Sequence, residues 1–276
     1  MFGKLSTIIK GWFKSLFKPK YILNYKTIAG PGQQIIFLHG LASKISVWKY
    51  VYEPLRGKHN ILLLDLLGFG RSPQPKDCSY TADDQVDAIV ATLKKLGKWE
   101  SSYFVTHSMG GIVATRLASR YPDKVLSIVL CSPPFYKRAE LNDQKLLEWQ
   151  NNSDELYFKA YRKLRSNPDW AIKGSAMLKK LNIRGMDVTE QNWMVFHESL
   201  KNTIEQQHAI SDISTLRVPI KIIYGRFDVL VNSRNISRLA KKLPNISLLK
   251  VNTGHDLNMG YSKIIAREID NFVISK

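Results

Sequence analysis

Acid is in short supply in this 276-residue chain: 23 Asp and Glu stand against 41 Lys and Arg, a formal net charge of +18. A charge this large favours anionic surfaces, whether membrane or nucleic acid. Cysteine is scarcer still. Cys78 and Cys131 are the only two, too few for a disulfide framework, and Cys131, inside an apolar run, reads as a small buried hydrophobe. A reducing compartment suits that count. Long hydrophobic runs are missing too: nothing approaches the ~18 to 20 apolar residues that span a bilayer. The chain has no recognisable nucleic-acid module, and residues 21–134 and 213–276 hold no basic run interleaved with stacking aromatics, so no nucleic acid is expected as a partner. Internal repeats, low-complexity stretches and long linkers are absent as well.

What is present is unevenly spread. Residues 1–20 carry five lysines and no acid, residues 213–276 carry a net +7, and residues 135–212 only +1. Within residues 2–18, Leu5, Ile8, Ile9, Trp12, Phe13, Leu16 and Phe17 recur at the i, i+3, i+4 spacing of one helical stripe. Lys4, Lys10, Lys14 and Lys18 take the opposite side and Pro19 ends the pattern. A lysine every four to six residues rules out a secretory apolar core. The pattern predicts an amphipathic helix at 1–20. It lies either flat on an anionic leaflet or against protein. The matching expectation for location is cytoplasmic, peripheral at the inner face of the membrane.

Further along, short apolar runs at 21–28, 33–38, 60–65, 101–107, 125–131, 219–224 and 246–251 read as strands, with helical patterns such as 82–96, 109–120 and 261–274 between them. This alternation predicts an α/β fold, a mostly parallel doubly wound sheet with helices on both faces. Between 135 and 212 strand-like runs give way to helix formers with scattered aromatics and methionines, among them Trp149, Tyr157, Phe158, Tyr161, Trp170, Met177 and Trp193. The expected organisation is a core of residues 21–134 and 213–276, with residues 135–212 as a helical cap. Most cap aromatics are expected to pack, and a minority to shape an apolar pocket.

The chemistry concentrates at the ends of these runs. Thr106-His107-Ser108-Met109-Gly110-Gly111 joins a strand to a helix. The segment resembles the nucleophile elbow of the α/β-hydrolases, G-x-S-x-G, with Thr106 at the first glycine. A serine needs a base within hydrogen-bond reach, and in that family the chain order is serine, acid, histidine. The resemblance implies Asp228, just past strand 219–224, as the acid and His255, just past strand 246–251, as the base. Asp256 is a rival acid, and His59, His197 and His208 follow no matching strand. The resemblance also implies an oxyanion hole from the backbone N–H groups of Met109 and Leu41, with Gly40 letting the backbone approach and His39 bracing the loop. Asp65-Leu66-Leu67-Gly68-Phe69-Gly70-Arg71-Ser72 is similar to the family's D-x-P-G-x-G-x-S turn, with Leu67 in place of proline, and reads as structural.

The fold, the sheet edge that collects these residues and the family likeness together imply a serine hydrolase of carboxylic esters, small or acyl-chain, that needs no metal and no cofactor. Two other readings stay open. One is a C–C bond hydrolase of dienoate ring-fission products, which uses the same residues. The other is a non-catalytic binding protein on the same fold.

Overall fold

In a computed structural model of the chain, residues 20–136, 152–180 and 186–274 are described. The helix expected over residues 2–18, with the membrane contact it would make, lies outside them, as does Trp149. No helix among the described residues is long and apolar enough to cross a membrane.

Seven strands form one sheet: β1 (Tyr25–Ile28), β2 (Gln34–Leu38), β3 (Asn60–Leu64), β4 (Ser102–His107), β5 (Val125–Cys131), β6 (Ile220–Gly225) and β7 (Ile246–Val251). Their spatial order is β1-β3-β2-β4-β5-β6-β7. β1 runs antiparallel to β3, and the remaining neighbours are parallel. The expected sheet is therefore present, with its first strand starting at Tyr25 rather than at 21. β2 and β4 are buried along their whole length, as strands covered on both faces must be. The two-residue period then sorts their side chains into two cores. Ile36, Leu38, Leu62, Leu64 and Phe104 point to one face. Ile35, Phe37, Ile61, Leu63, Tyr103 and Val105 point to the other. Each such side chain contributes about 1.5–3 kcal/mol on burial.

The helices are α1 (Lys49–Tyr52), α2 (Ala82–Lys95), α3 (Met109–Arg120), α4 (Asn152–Arg165), α5 (Pro168–Lys180), α6 (Trp193–Ser199), α7 (Ala209–Thr215), α8 (Ser233–Lys242) and α9 (Met259–Ile274). α2 begins on a capping box: Thr81 accepts from the Asp84 amide at 3.1 Å while the Asp84 carboxylate accepts from the Thr81 amide at 2.9 Å. α3 packs Ile112, Val113 and Leu117 on one face of the sheet, and α9 packs Tyr261, Ile265 and Ile269 on the other.

Between β5 and β6 the described residues form helices and no strand. Phe158, Tyr161 and Phe196 are buried there, as expected of packing aromatics, but Trp170 and Met177 face solvent. These helices are tied to the sheet's carboxyl edge at two places. The Asp187 amide donates to the Ala42 carbonyl at 2.7 Å, just past β2. On the other side, Asn232 and Asn235 donate to the buried Asp154 carboxylate at 2.6 and 3.0 Å, and the Tyr136 hydroxyl donates to the Leu230 carbonyl.

Candidate active site

Ser108 stands between β4 and α3 with φ 52° and ψ −123°. Its amide still bonds as part of the sheet, donating to the Cys131 carbonyl at 2.9 Å, while its carbonyl already accepts from the Gly111 amide at 2.8 Å as a helix start. Meeting both demands at one residue forces the left-handed backbone, which costs a non-glycine on the order of 1–3 kcal/mol. The neighbours make room for it. A Cβ on Gly110 would lie 2.7 Å from the His39 carbonyl oxygen, and one on Gly40 would lie 3.0 Å from Ser108 Cβ. The loop after β2 thus lies directly against the elbow, and Met109, buried, opens α3. Leu41 is half-buried on that same loop. Thr106, at a position where the motif has glycine, is fully buried, and its hydroxyl donates to the Val129 carbonyl at 3.3 Å.

Across the sheet edge, His255 Nδ1 meets both carboxylate oxygens of Asp228, at 3.0 and 2.9 Å. The Asp228 side chain is fully buried and that of His255 is about one-fifth exposed. Burial pushes the Asp228 carboxyl up. Hydrogen bonds from His255, Ser132 and the Leu230 amide, with the His255 charge, outweigh it and hold the group below the ordinary carboxylate value. Ser132 itself sits at φ 50° at the end of β5, the same backbone region as Ser108. Asp256 is half-buried next to His255, but it is Asp228 that holds the ring.

The other histidines divide clearly. His59 pairs with Asp270 at 2.9 Å and His197 with Glu198 at 3.0 Å, and His208 precedes α7. None of these is brought to the Asp228–His255 pair. His39 is fully buried: its Nδ1–H donates to the Gly40 carbonyl at 2.8 Å and its Nε2 accepts from the Leu66 amide at 2.9 Å. Burial lowers its pKa, against the Gly40 bond and the Asp65 charge. It therefore joins the loop after β2 to the turn after β3.

Sequence reasoning overlooked His107. Its Nε2–H donates to the His255 carbonyl at 2.8 Å, and the two rings lie 4.9 Å apart at 49°. Burial, then repulsion from a charged His255, pulls its pKa down to about 3, so His107 is a neutral donor at working pH. The residue beside Ser108 thus grips the backbone of His255, 148 residues further along.

The turn after β3 is structural. The Asp65 carboxylate accepts from the Ile45 amide at 2.6 Å, Asn24 Nδ2 at 2.7 Å and the Arg71 amide at 3.0 Å. Leu67, where the family pattern has proline, uses the amide that a proline lacks. It donates to Gln85 Oε1 at 2.9 Å, and Gln85 Nε2 returns a bond to the Leu67 carbonyl at 2.9 Å. Among the described residues no group of three or more His, Cys, Asp or Glu is placed to hold a metal ion.

Comparison with known proteins gives this arrangement a context. A family profile described as the alpha/beta hydrolase fold matches residues 34–260. A probable lysophospholipase of Arabidopsis thaliana, BODYGUARD 4, is 26% identical over 83% of this chain, which spans 61% of that protein's length. A pimeloyl-[acyl-carrier protein] methyl ester esterase of Legionella pneumophila is 23% identical, over 88% of this chain and 96% of that one. A thermophilic esterase of Thermogutta terrifontis shares the fold, with a TM-score of 0.71 at 19% identity over 92% of this chain and 93% of its own.

Proposed function

Because the chain belongs to the alpha/beta hydrolase fold family, we propose that it hydrolyses carboxylic esters through Ser108, His255 and Asp228. Ser108 Oγ attacks the ester carbonyl carbon as His255 takes the hydroxyl proton. The carbonyl oxygen becomes an oxyanion, held by the backbone N–H groups of Met109 and Leu41. Collapse of the tetrahedral intermediate breaks the C–O bond. His255 hands its proton to the departing alkoxide, leaving an acyl-enzyme. Water, deprotonated by His255, then releases the acid and restores Ser108. Asp228 keeps the imidazole Nδ1–H directed at itself and stabilises the imidazolium that forms twice per cycle.

The observation that carries this reading is the buried Asp228 carboxylate bonded to His255 Nδ1, at the same sheet edge as a serine held at positive φ. Acyl-chain esters are the favoured class. The relatives' names, a probable lysophospholipase and a methyl ester esterase, support it, and so do the buried aromatics Phe158, Tyr161 and Phe196 of the helices between β5 and β6, which this reading takes as a cap of residues 135–212 over a core of 21–134 and 213–276. The basic amphipathic stripe of residues 2–18 supports attachment to an anionic leaflet.

A fluorophosphonate probe tests the reading. It should label the folded protein once, at Ser108, and Ser108→Ala should lose both labelling and turnover of p-nitrophenyl esters across chain lengths. Unchanged turnover in Ser108→Ala would refute it.

A further inference from the structure

We propose that the outer face of α5, flanked by that of α4, is a docking surface for an anionic lipid bilayer. Large apolar side chains are rarely left in water without a partner when they gather on one face. Trp170 is 63% exposed, Met177 64% and Leu156 67%. On α5, Trp170 and Met177 alternate with exposed Lys173 and Lys180. At 100° per residue these four fall within one stripe along the helix. The opposite side of α5 holds the buried Ala171 and Ser175, and the Ser175 hydroxyl donates to the Met186 carbonyl at 2.9 Å. The inner side is thus occupied and the outer side presents apolar and basic groups by turns, with one exposed acid at the first turn of α5, Asp169, and one on α4, Glu155, that pairs with Arg162 at 2.6 Å. α4, which packs against α5, repeats the composition: Leu156 shares its outer stripe with exposed Lys159 and Lys163.

The charge of this surface selects its occupant. A tryptophan and a methionine set among lysines suit the boundary of an anionic leaflet. There the apolar groups enter the acyl region and the ammonium groups reach the phosphates. A second copy of the chain would set lysines against lysines on molecules of formal charge +18. The chain's own residues 1–20, with five lysines and no acid, would meet the same repulsion. The proposal needs no catalytic turnover and stands or falls apart from the ester-hydrolase reading.

The test uses the full chain with Cys78→Ser and Met177→Cys, labelled with an environment-sensitive nitrobenzoxadiazole dye; Cys131 is fully buried. A second label, at Lys95→Cys, reports the opposite edge of the sheet, where α2 ends. Vesicles of phosphatidylcholine with one-third phosphatidylglycerol should shift the 177 label to the blue and brighten it severalfold. Pure phosphatidylcholine should not, and the 95 label should respond to neither. Replacing Lys173 and Lys180 by Glu should weaken partitioning at least tenfold, since each lysine near the surface contributes and each glutamate repels. Three results would overturn the proposal: no binding to anionic vesicles, binding with the 177 label unmoved, or a lipid-independent blue shift that grows with protein concentration, which would mark the face as a contact between copies.

Discussion

Gly225 closes β6 three residues before Asp228, and its lack of a side chain decides how closely the two loops of the proposed site can approach. A Cβ there would stand 2.6 Å from the Gly254 carbonyl oxygen and closer still to that of Thr253, where real Cβ atoms keep at least 3.0 Å. The Thr253 carbonyl cannot step aside alone. The Arg226 amide donates to Val251 at 2.7 Å and the Phe227 amide to Thr253 at 3.0 Å, so the loops are sewn together around the glycine. Gly225→Ala must therefore part the loop of Asp228 from the loop of His255. A misplacement of about 1 Å costs on the order of 10²-fold in rate, and overpacking of this kind costs about 1–3 kcal/mol. The assay is kcat on p-nitrophenyl butyrate beside a urea melt of the same preparation. Gly174→Ala is the control: it has nothing within 4 Å of the new methyl and lies inside α5, so it should leave kcat alone and add about 0.5–1 kcal/mol. A Gly225→Ala protein with kcat within twofold of the parent would refute the argument that this contact sets the pair.

Asp228→Asn should lower kcat by about 10⁴-fold in a protein whose circular dichroism is unchanged. The same variant tests a pH dependence. A carboxyl held below its ordinary value contributes stability that is complete above about pH 4 and is lost as pH falls through the folded value; urea melts from pH 6 to 2 should show a shallower acid decline in Asp228→Asn. For His107, Leu removes the donor to His255, whereas Gln can place an amide N–H near the position of Nε2. His107→Leu should lose about 10–100-fold in kcat with KM little changed, and His107→Gln should recover most of it. Two substitutions toward the family pattern should both destabilise. Leu67→Pro deletes a buried donor and strands Gln85 Oε1, and Thr106→Gly opens a void in β4, each at about 1–3 kcal/mol in a denaturant melt.

The strands were legible because each is a short apolar run closed by a polar or glycine turn, and the candidate serine, acid and histidine because each follows such a run. What escaped has a common cause. The bond from His107 to the His255 carbonyl joins positions 148 apart, and the exchange between Leu67 and Gln85 uses a backbone amide; neither leaves a trace in spacing or composition. Ser132, which supports Asp228 from the end of β5, looks in the chain like any serine before Pro133. The apolar residues between β5 and β6 read in the sequence as packing or pocket-lining groups. Trp170 and Met177 are exposed instead, because α5 has an inner side already filled by Ala171 and Ser175, and that assignment depends on a tertiary neighbour that the helical period alone cannot specify.

The order of the strands also bears on how the molecule is made. β1 to β5 come from one continuous stretch, residues 25–131, whereas β6 joins β5 through partners such as Ile128 and Ile220, 92 positions apart. Closing a loop of that length costs about 4 kcal/mol of chain entropy, hardly more than the roughly 3.7 kcal/mol for the 68 positions between Ile35 and Tyr103 in β2 and β4, so it is the order of synthesis that makes the first five strands available ahead of the last two. Ser108 belongs to the early portion, Asp228 and His255 to the late one. A chain still emerging from the ribosome thus carries Ser108 before Asp228 and His255 have been made, and on the proposed mechanism hydrolysis should appear only once the final two strands dock.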